Sequence, residues 1–292
     1  MSATSFSSPV RLQVFTKDHG PLTKSVSWVS GQLVKDGGQC KMSTGSVETV
    51  AVTSMGALND LLCGLTTSQA ISLSTSNHYD FLGGFPQRVV AKPLAAQYPD
   101  AITRSAEHFK FEEGEQALVL FDRDSSDGEL MSVARAMGIL GELMPGFDSL
   151  AAASTHSSSS FIYTDGGEEL AGEGNHHTFV VAKDGADIPR FAKALEGQLW
   201  LKGFGRPFVT RSGSFIARTV FDMGVFSPER LVFEAVLLVL DEVAQVEGFI
   251  DDVHGLGPSE LNLLGEFFDR CHQGTGVASS ARTFRRCVRG DE

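Results

Sequence analysis

The sequence predicts an α/β (α+β) protein. Three observations carry that prediction. Strand-length apolar runs recur at residues 10–15, 117–121, 178–182 and 215–221, whereas helical apolar periodicity falls between them at 129–143 and 187–200. Each of the last three runs also delivers polar, chemistry-bearing residues at one end: Asp122 and Asp124, the histidine pair His176-His177, and Asp222.

In chain order, residues 10–100 read as a first α/β unit. Val10 to Phe15 alternates as a strand, and shorter β-like runs follow Gly37-Gly38 around 40–42 and 48–53. Ser54 or Asn59 starts a short helix carrying Leu58, Leu61 and Leu62. Thr67 begins another turn, and Gly83-Gly84, Pro86 and Pro93 break up a loop-rich stretch in which His78 and Tyr79 read as surface residues. After the strand at 117–121, Leu130, Val133, Ala134, Met137 and Leu140 repeat at helical spacing until Pro145-Gly146. The tract 151–160 is nearly all Ala, Ser and Thr. It reads either as a flexible linker or as a loop whose backbone amides admit phosphate. Asp187 ahead of Pro189 caps a helix with Phe191, Leu195 and Leu199 on one stripe. Glycine turns at 203–205 and 212–214 bracket a hairpin-like segment, and residues 215–221 form a strand. Ser227-Pro228 reads as a further cap and first helical position, residues 231–246 as a core element, and the remainder as helical and basic at its end.

Composition bounds the function. At 292 residues the chain can bury a sizeable core, and its 42% hydrophobic content is that of an ordinary globular protein. No apolar run approaches the roughly 20 residues that span a bilayer, so no membrane role is expected. The Ser-rich start lacks a basic region followed by an apolar core, and a cytoplasmic location is expected. Cys40, Cys63, Cys271 and Cys287 form no Cys-x-x-Cys pair and read as reduced thiols; Cys271, His272 and Cys287 lack a fourth zinc ligand. A net charge of −12 argues against broad nonspecific affinity for nucleic acid. Residues 183–230 nevertheless hold eight Lys or Arg against five acids. That is either a solvated face or a local groove.

The run 117–124 is the centre of the pattern. Residues of both parities are apolar, so the strand is buried on both faces. Asp122 and Asp124, at i and i+2, share one face of it. Two carboxylates this close call for a cation, and a divalent metal supplies it; the alternative is a strand that ends at the surface in the Asp-rich turn 125–128. At the mouth of the next strand, a neutral His176 or His177 ligates metal, a protonated one contacts phosphate, and the plain alternative is a structural histidine.

Taken in order, the motifs Leu120-Phe121-Asp122-Arg123-Asp124, Ala153-Ser154-Thr155-His156-Ser157-Ser158, Gly174-Asn175-His176-His177, Leu199-Trp200-Leu201-Lys202-Gly203-Phe204-Gly205 and Arg218-Thr219-Val220-Phe221-Asp222, followed by 227–234, resemble the archaeo-eukaryotic primase (primase-polymerase) superfamily. The closest resemblance is to the primase domain of mobile-element and phage primase-helicases. It is strongest over 117–235 and perceptible at 20–24. It implies a single primase-polymerase domain over 1–292: an N-terminal α/β unit (1–110) packed on an RRM-like catalytic sheet (111–235), with a helical C-terminal segment (236–292). It implies that Asp122, Asp124 and Asp222 hold two Mg²⁺ or Mn²⁺ ions, and that His176 contacts the phosphates of the incoming NTP or dNTP. His177 is then expected on the opposite side of the strand. The sequence departs from the compact Ser-x-His motif of the family, because residues 161–173 read as an inserted hairpin. Ser157 and Ser158 remain candidate nucleotide contacts, and Lys202, Arg211 and Arg218 are expected to face triphosphate or template.

The implied activity is template-directed nucleotidyl transfer on single-stranded DNA, in the replication of a mobile element, plasmid or phage, alongside a helicase domain or subunit. The chain is expected to be a fragment or a free-standing relative of a longer primase-helicase. A catalytically inactive replication-initiation module and a metal-dependent nuclease are the alternatives.

Overall fold

Val10, Leu12 and Val14 bury one face of a long first strand, β1 (Ser5–Lys17), and Phe15 buries the other. The computed structural model describes residues 5–76, 86–123, 131–157, 160, 162–164, 169–171, 175–210, 212–234, 238–239, 243–245 and 253–254. A hairpin, β2 (Ser25–Val29) and β3 (Gln32–Asp36), follows β1. β4 (Thr44–Ser54) then pairs antiparallel with β1, from Val10↔Val52 to Lys17↔Gly45. The Ser54 hydroxyl accepts the Ala57 N–H at 3.0 Å and caps α1 (Met55–Cys63), which buries Leu58 and Leu62. β5 (Gln69–Ser72) covers the free edge of β1, where the sequence suggested only a turn. β6 (Gln87–Val90) pairs with β4, and Ile102–Thr103 lies parallel beside β6. The β-like run expected around 40–42 is instead a single 3₁₀ turn, Gly38–Cys40, running into loop.

The second sheet begins with β7 (Ala117–Arg123), buried on both faces as its apolar parity predicts. Ser132 caps α2 (Val133–Leu143) by accepting the Arg135 N–H. The Ala/Ser/Thr tract is neither linker nor phosphate loop over most of its length: it forms β8 (Ala152–His156), with Ala153 and Thr155 buried. Small side chains leave no apolar signature there, yet Ala152 and Ala153 are buried in the main apolar cluster. Ile162–Thr164 and Glu169–Ala171 pair antiparallel, in line with the expected inserted hairpin. β9 (His176–Ala182) is buried throughout and lies between β7 and β8, antiparallel to both. α3 (Ile188–Leu201) follows with Phe191, Leu195 and Leu199 inward, and a hairpin of β10 (Gly205–Val209) and β11 (Phe215–Thr219) leaves its end.

One apolar cluster runs through the β1 sheet, the β7 sheet and α1, α2 and α3. The result is a mixed α+β protein, strand-rich with few helices. Two expectations near the end are corrected. Ser227-Pro228 does not start a helix; Val232 is extended and bridges Ile71. Between 236 and 254 the described pieces are short strands (Leu238–Val239, Val243–Gln245, Val253–His254) and not helix. The helical, basic segment expected beyond them lies outside the described residues. Among the described residues, no helix is long and apolar enough to cross a membrane.

Candidate functional site

Phe121 and Phe221 fix the aspartates that follow them. Phe121 is fully buried, edge-on to Phe147, Phe191, Phe221 and Phe226 with ring centroids 5.5, 6.1, 5.7 and 6.1 Å away. Side chains alternate along a strand, so seating Phe121 against α3 and the 3₁₀ turns turns Asp122 to the other face. Phe221 belongs to the same cluster and brings the next residue alongside. The backbone N–H of Asp222 donates to the Asp122 carbonyl at 2.8 Å. The strand expected over 215–221 stops at Thr219, and Asp222 instead caps the 3₁₀ turn Met223–Phe226. Its Oδ1 accepts the Gly224 N–H at 2.9 Å, and its Oδ2 accepts from Arg230 Nη2 at 3.3 Å.

Register supplies the rest of the site. Asp122 pairs with His177 on β9, and His177 pairs with Thr155 on β8. His177 Nε2 lies 3.3 Å from Asp122 Oδ1, and Nδ1 is hydrogen-bonded to Glu234 Oε1. The Thr155 hydroxyl donates to Glu234 Oε2 at 3.0 Å. Glu234 is carried there by a pinned segment. Val232 and Ile71 exchange backbone hydrogen bonds at 2.8 and 3.1 Å, and the Ser72 and Ser74 hydroxyls both donate to the Pro228 carbonyl at 2.6 Å.

Charge follows from this geometry. Burial by itself favours a neutral His177, but the carboxylates of Glu234 and Asp122 outweigh it and raise the pKa to about 10. The ring is therefore an imidazolium at neutral pH. Burial pushes the Asp122 carboxyl up, yet the charge and hydrogen bond of His177, helped by Lys24 and Arg230, hold it below the usual carboxylate range. Arg104, whose Nη1 donates to the Glu229 carbonyl at 2.8 Å, is lowered by burial and then by the neighbouring charge of Arg230.

The remaining sequence candidates fall elsewhere. His176 lies on the opposite face to Asp122, in register with Arg123 and His156. The two histidines do face opposite ways, as expected, but His177 is the one beside Asp122. Buried, and near the charges of His177, Arg123 and His156, His176 has its pKa lowered to about 4 and is neutral. Ser157 is buried just past β8, its N–H donating to the Asn175 carbonyl at 2.9 Å. Lys202 is exposed at the end of α3, and Arg218 lies on β11 with its guanidinium 5.2 Å from the Phe208 ring centre. Asp124, Ser158 and Arg211 lie outside the described residues, as do His78, Tyr79, Cys271, His272 and Cys287.

Sequence reasoning gave no role to Thr155, Glu234 or Lys24. Glu234 had a usable signal, a lone acid inside the apolar run 231–240. Thr155 had none, being one hydroxyl residue in a tract of them.

Carboxylate oxygens are the donor type that a hard divalent cation takes. Asp122 and Asp222 offer carboxylate oxygens on adjoining backbones, and each now has a positive partner, His177 or Arg230. Among the described residues, no three His, Cys, Asp or Glu side chains are arranged to hold an ion by themselves. Comparison with protein-family models, curated proteins and solved structures finds no match to the chain.

Proposed function

We propose that the chain is a template-directed nucleotidyltransferase, a DNA primase or primase-polymerase. The observation that carries the reading is the meeting of Asp122 and Asp222, with His177 against the first of them. The two aspartates are the positions that the sequence motifs single out, whereas the histidine beside them is His177 and not the favoured His176; the three come from distant segments.

The order β7-α2-β8-β9-α3, with neighbours β7-β9-β8 all antiparallel and the short strand Val253–His254 added at the far edge of β8, supports an RRM-like sheet. The Asp222 segment adds one backbone hydrogen bond at the free edge of β7, the side on which an RRM-like sheet would carry its fourth strand. Mg²⁺ or Mn²⁺ held by Asp122, Asp222 and Asp124 would increase the acidity of a 3′-hydroxyl and offset charge on the leaving pyrophosphate. Asp122 is kept ionised by His177, which acts as a positioning residue with Glu234 and Thr155 behind it. Lys24 and Arg230 bear positive charge toward Asp122 and suit a triphosphate. The implied partners are a nucleoside triphosphate and single-stranded DNA, with a helicase domain or subunit in the same replication system.

Incubating the protein with labelled nucleotides, a primed single-stranded template and Mn²⁺ or Mg²⁺ tests the proposal. Template-dependent extension is the expected result. Degradation of the labelled DNA without extension would replace this reading with a nuclease, and neither product would leave an inactive module.

A further inference from the structure

Residues 197–221 contain four basic residues and no acidic one, in a chain whose net charge is −12. The stretch is the end of α3 and the β10–β11 hairpin. It is anchored at its foot: Gly205 packs so tightly on Trp200 that an added methyl would collide with the indole ring, and the Val220 N–H donates to the Phe204 carbonyl at 3.2 Å. Beyond that foot the hairpin projects. Phe215 is 73% exposed and Phe208 37%, with Val209 and Ile216 exposed beside them. The register Arg206↔Arg218 and Phe208↔Ile216 puts two guanidiniums and an aromatic ring on one face, and the Arg218 guanidinium lies over the Phe208 ring. Val209↔Phe215 puts the second exposed ring on the other face.

Exposed apolar patches of this kind mark contact surfaces. We propose that the β10–β11 hairpin is a docking surface for single-stranded DNA, with Phe208 and Phe215 stacking on bases and Arg206 and Arg218 pairing with phosphates. Charge complementarity selects an anionic partner, and the exposed aromatic rings beside the cations select one with unstacked bases over an acidic protein surface. Exposed rings beside guanidiniums match the stacking and backbone contacts that single strands use. Duplex bases are already stacked and offer the rings little. Arg218 stands four residues before Asp222, within about 13 Å along an extended chain, so a strand held here leads to the aspartate pair. Naming the bound strand as template rests on the nucleotidyl-transfer reading; the binding itself does not.

Fluorescence anisotropy with a labelled oligothymidylate of about 20 nucleotides, without metal or nucleotide, tests the surface. Phe208→Ala and Phe215→Ala should each weaken binding about tenfold with an unchanged Tm, since both rings are exposed. Arg206→Ala and Arg218→Ala should each reduce the slope of log K against log salt by about 0.7. Wild-type protein that binds DNA in this assay yet extends no primed template would support the hairpin while removing the catalytic reading. Wild-type affinity in both phenylalanine variants would overturn the proposal. So would tighter binding of duplex or of RNA of the same length, or loss of self-association in Phe215→Ala with DNA affinity intact.

Discussion

The backbone N–H of Asp222 donates to the carbonyl of Asp122 at 2.8 Å, joining two aspartates a hundred residues apart in the chain. Each follows a phenylalanine of one aromatic cluster, Phe121 and Phe221, whose ring centres are 5.7 Å apart. The core therefore indexes the site. The pattern of a buried ring followed by an acid is a packing device as well as a motif.

Glu234 is the buried counter-charge that keeps His177 protonated, its side chain only 3% exposed. Glu234→Gln keeps the shape and removes the charge, leaving an imidazolium with Asp122 as its remaining carboxylate. Breaking such a buried pair costs about 3–5 kcal/mol, and urea unfolding at pH 7 should give the lower end of that range. A loss below about 0.5 kcal/mol would mean that His177 is neutral in the folded chain.

The two histidines should bend stability in opposite directions with pH. His177 rises from its ordinary 6.5 to about 10 on folding, so its contribution is whole below pH 6.5 and is lost as pH climbs toward 10. His176 falls from 6.5 to about 4, so its contribution is whole above pH 6.5 and is lost as pH drops toward 4. Measured in chelator, Tm should peak near neutrality and decline on both sides. His177→Gln should flatten the alkaline limb and His176→Gln the acid limb. A wild-type Tm that holds level from pH 6.5 to 9 would contradict the His177 assignment.

Activity should also separate them. His177→Gln removes the charge-assisted bond to Asp122, and incorporation should fall about ten- to a hundredfold. His176→Gln, on the opposite face, should leave the rate within about threefold by the same scale. The reverse pattern would return the phosphate contact to His176.

Much of this was legible in the sequence, for definite reasons. β7, α2, β9 and α3 carry strong apolar periodicity, and Asp122 and Asp222 stand directly after fully buried rings. β8 was hidden because Ala and Ser fill space without an apolar signal, and its Thr155 was hidden with it. Ser227-Pro228 looks like a helix start in isolation, but the Ser72 and Ser74 hydroxyls hold the Pro228 carbonyl and Ile71 draws Val232 into a bridge. Those partners lie over 150 residues away. Choosing between His176 and His177 needed the strand register, because one residue reverses the face.

The most direct measurement is the rate of templated nucleotide incorporation by Asp122→Asn, Asp222→Asn and the double variant, each checked for an unchanged fold. Residues that act as one unit are strongly non-additive. Each single substitution should abolish detectable incorporation or reduce it by at least about a thousandfold, and the double should be no worse. Asp222→Asn incorporating at the wild-type rate would show that the Asp122–Asp222 contact is structural and that synthesis, if any, happens elsewhere.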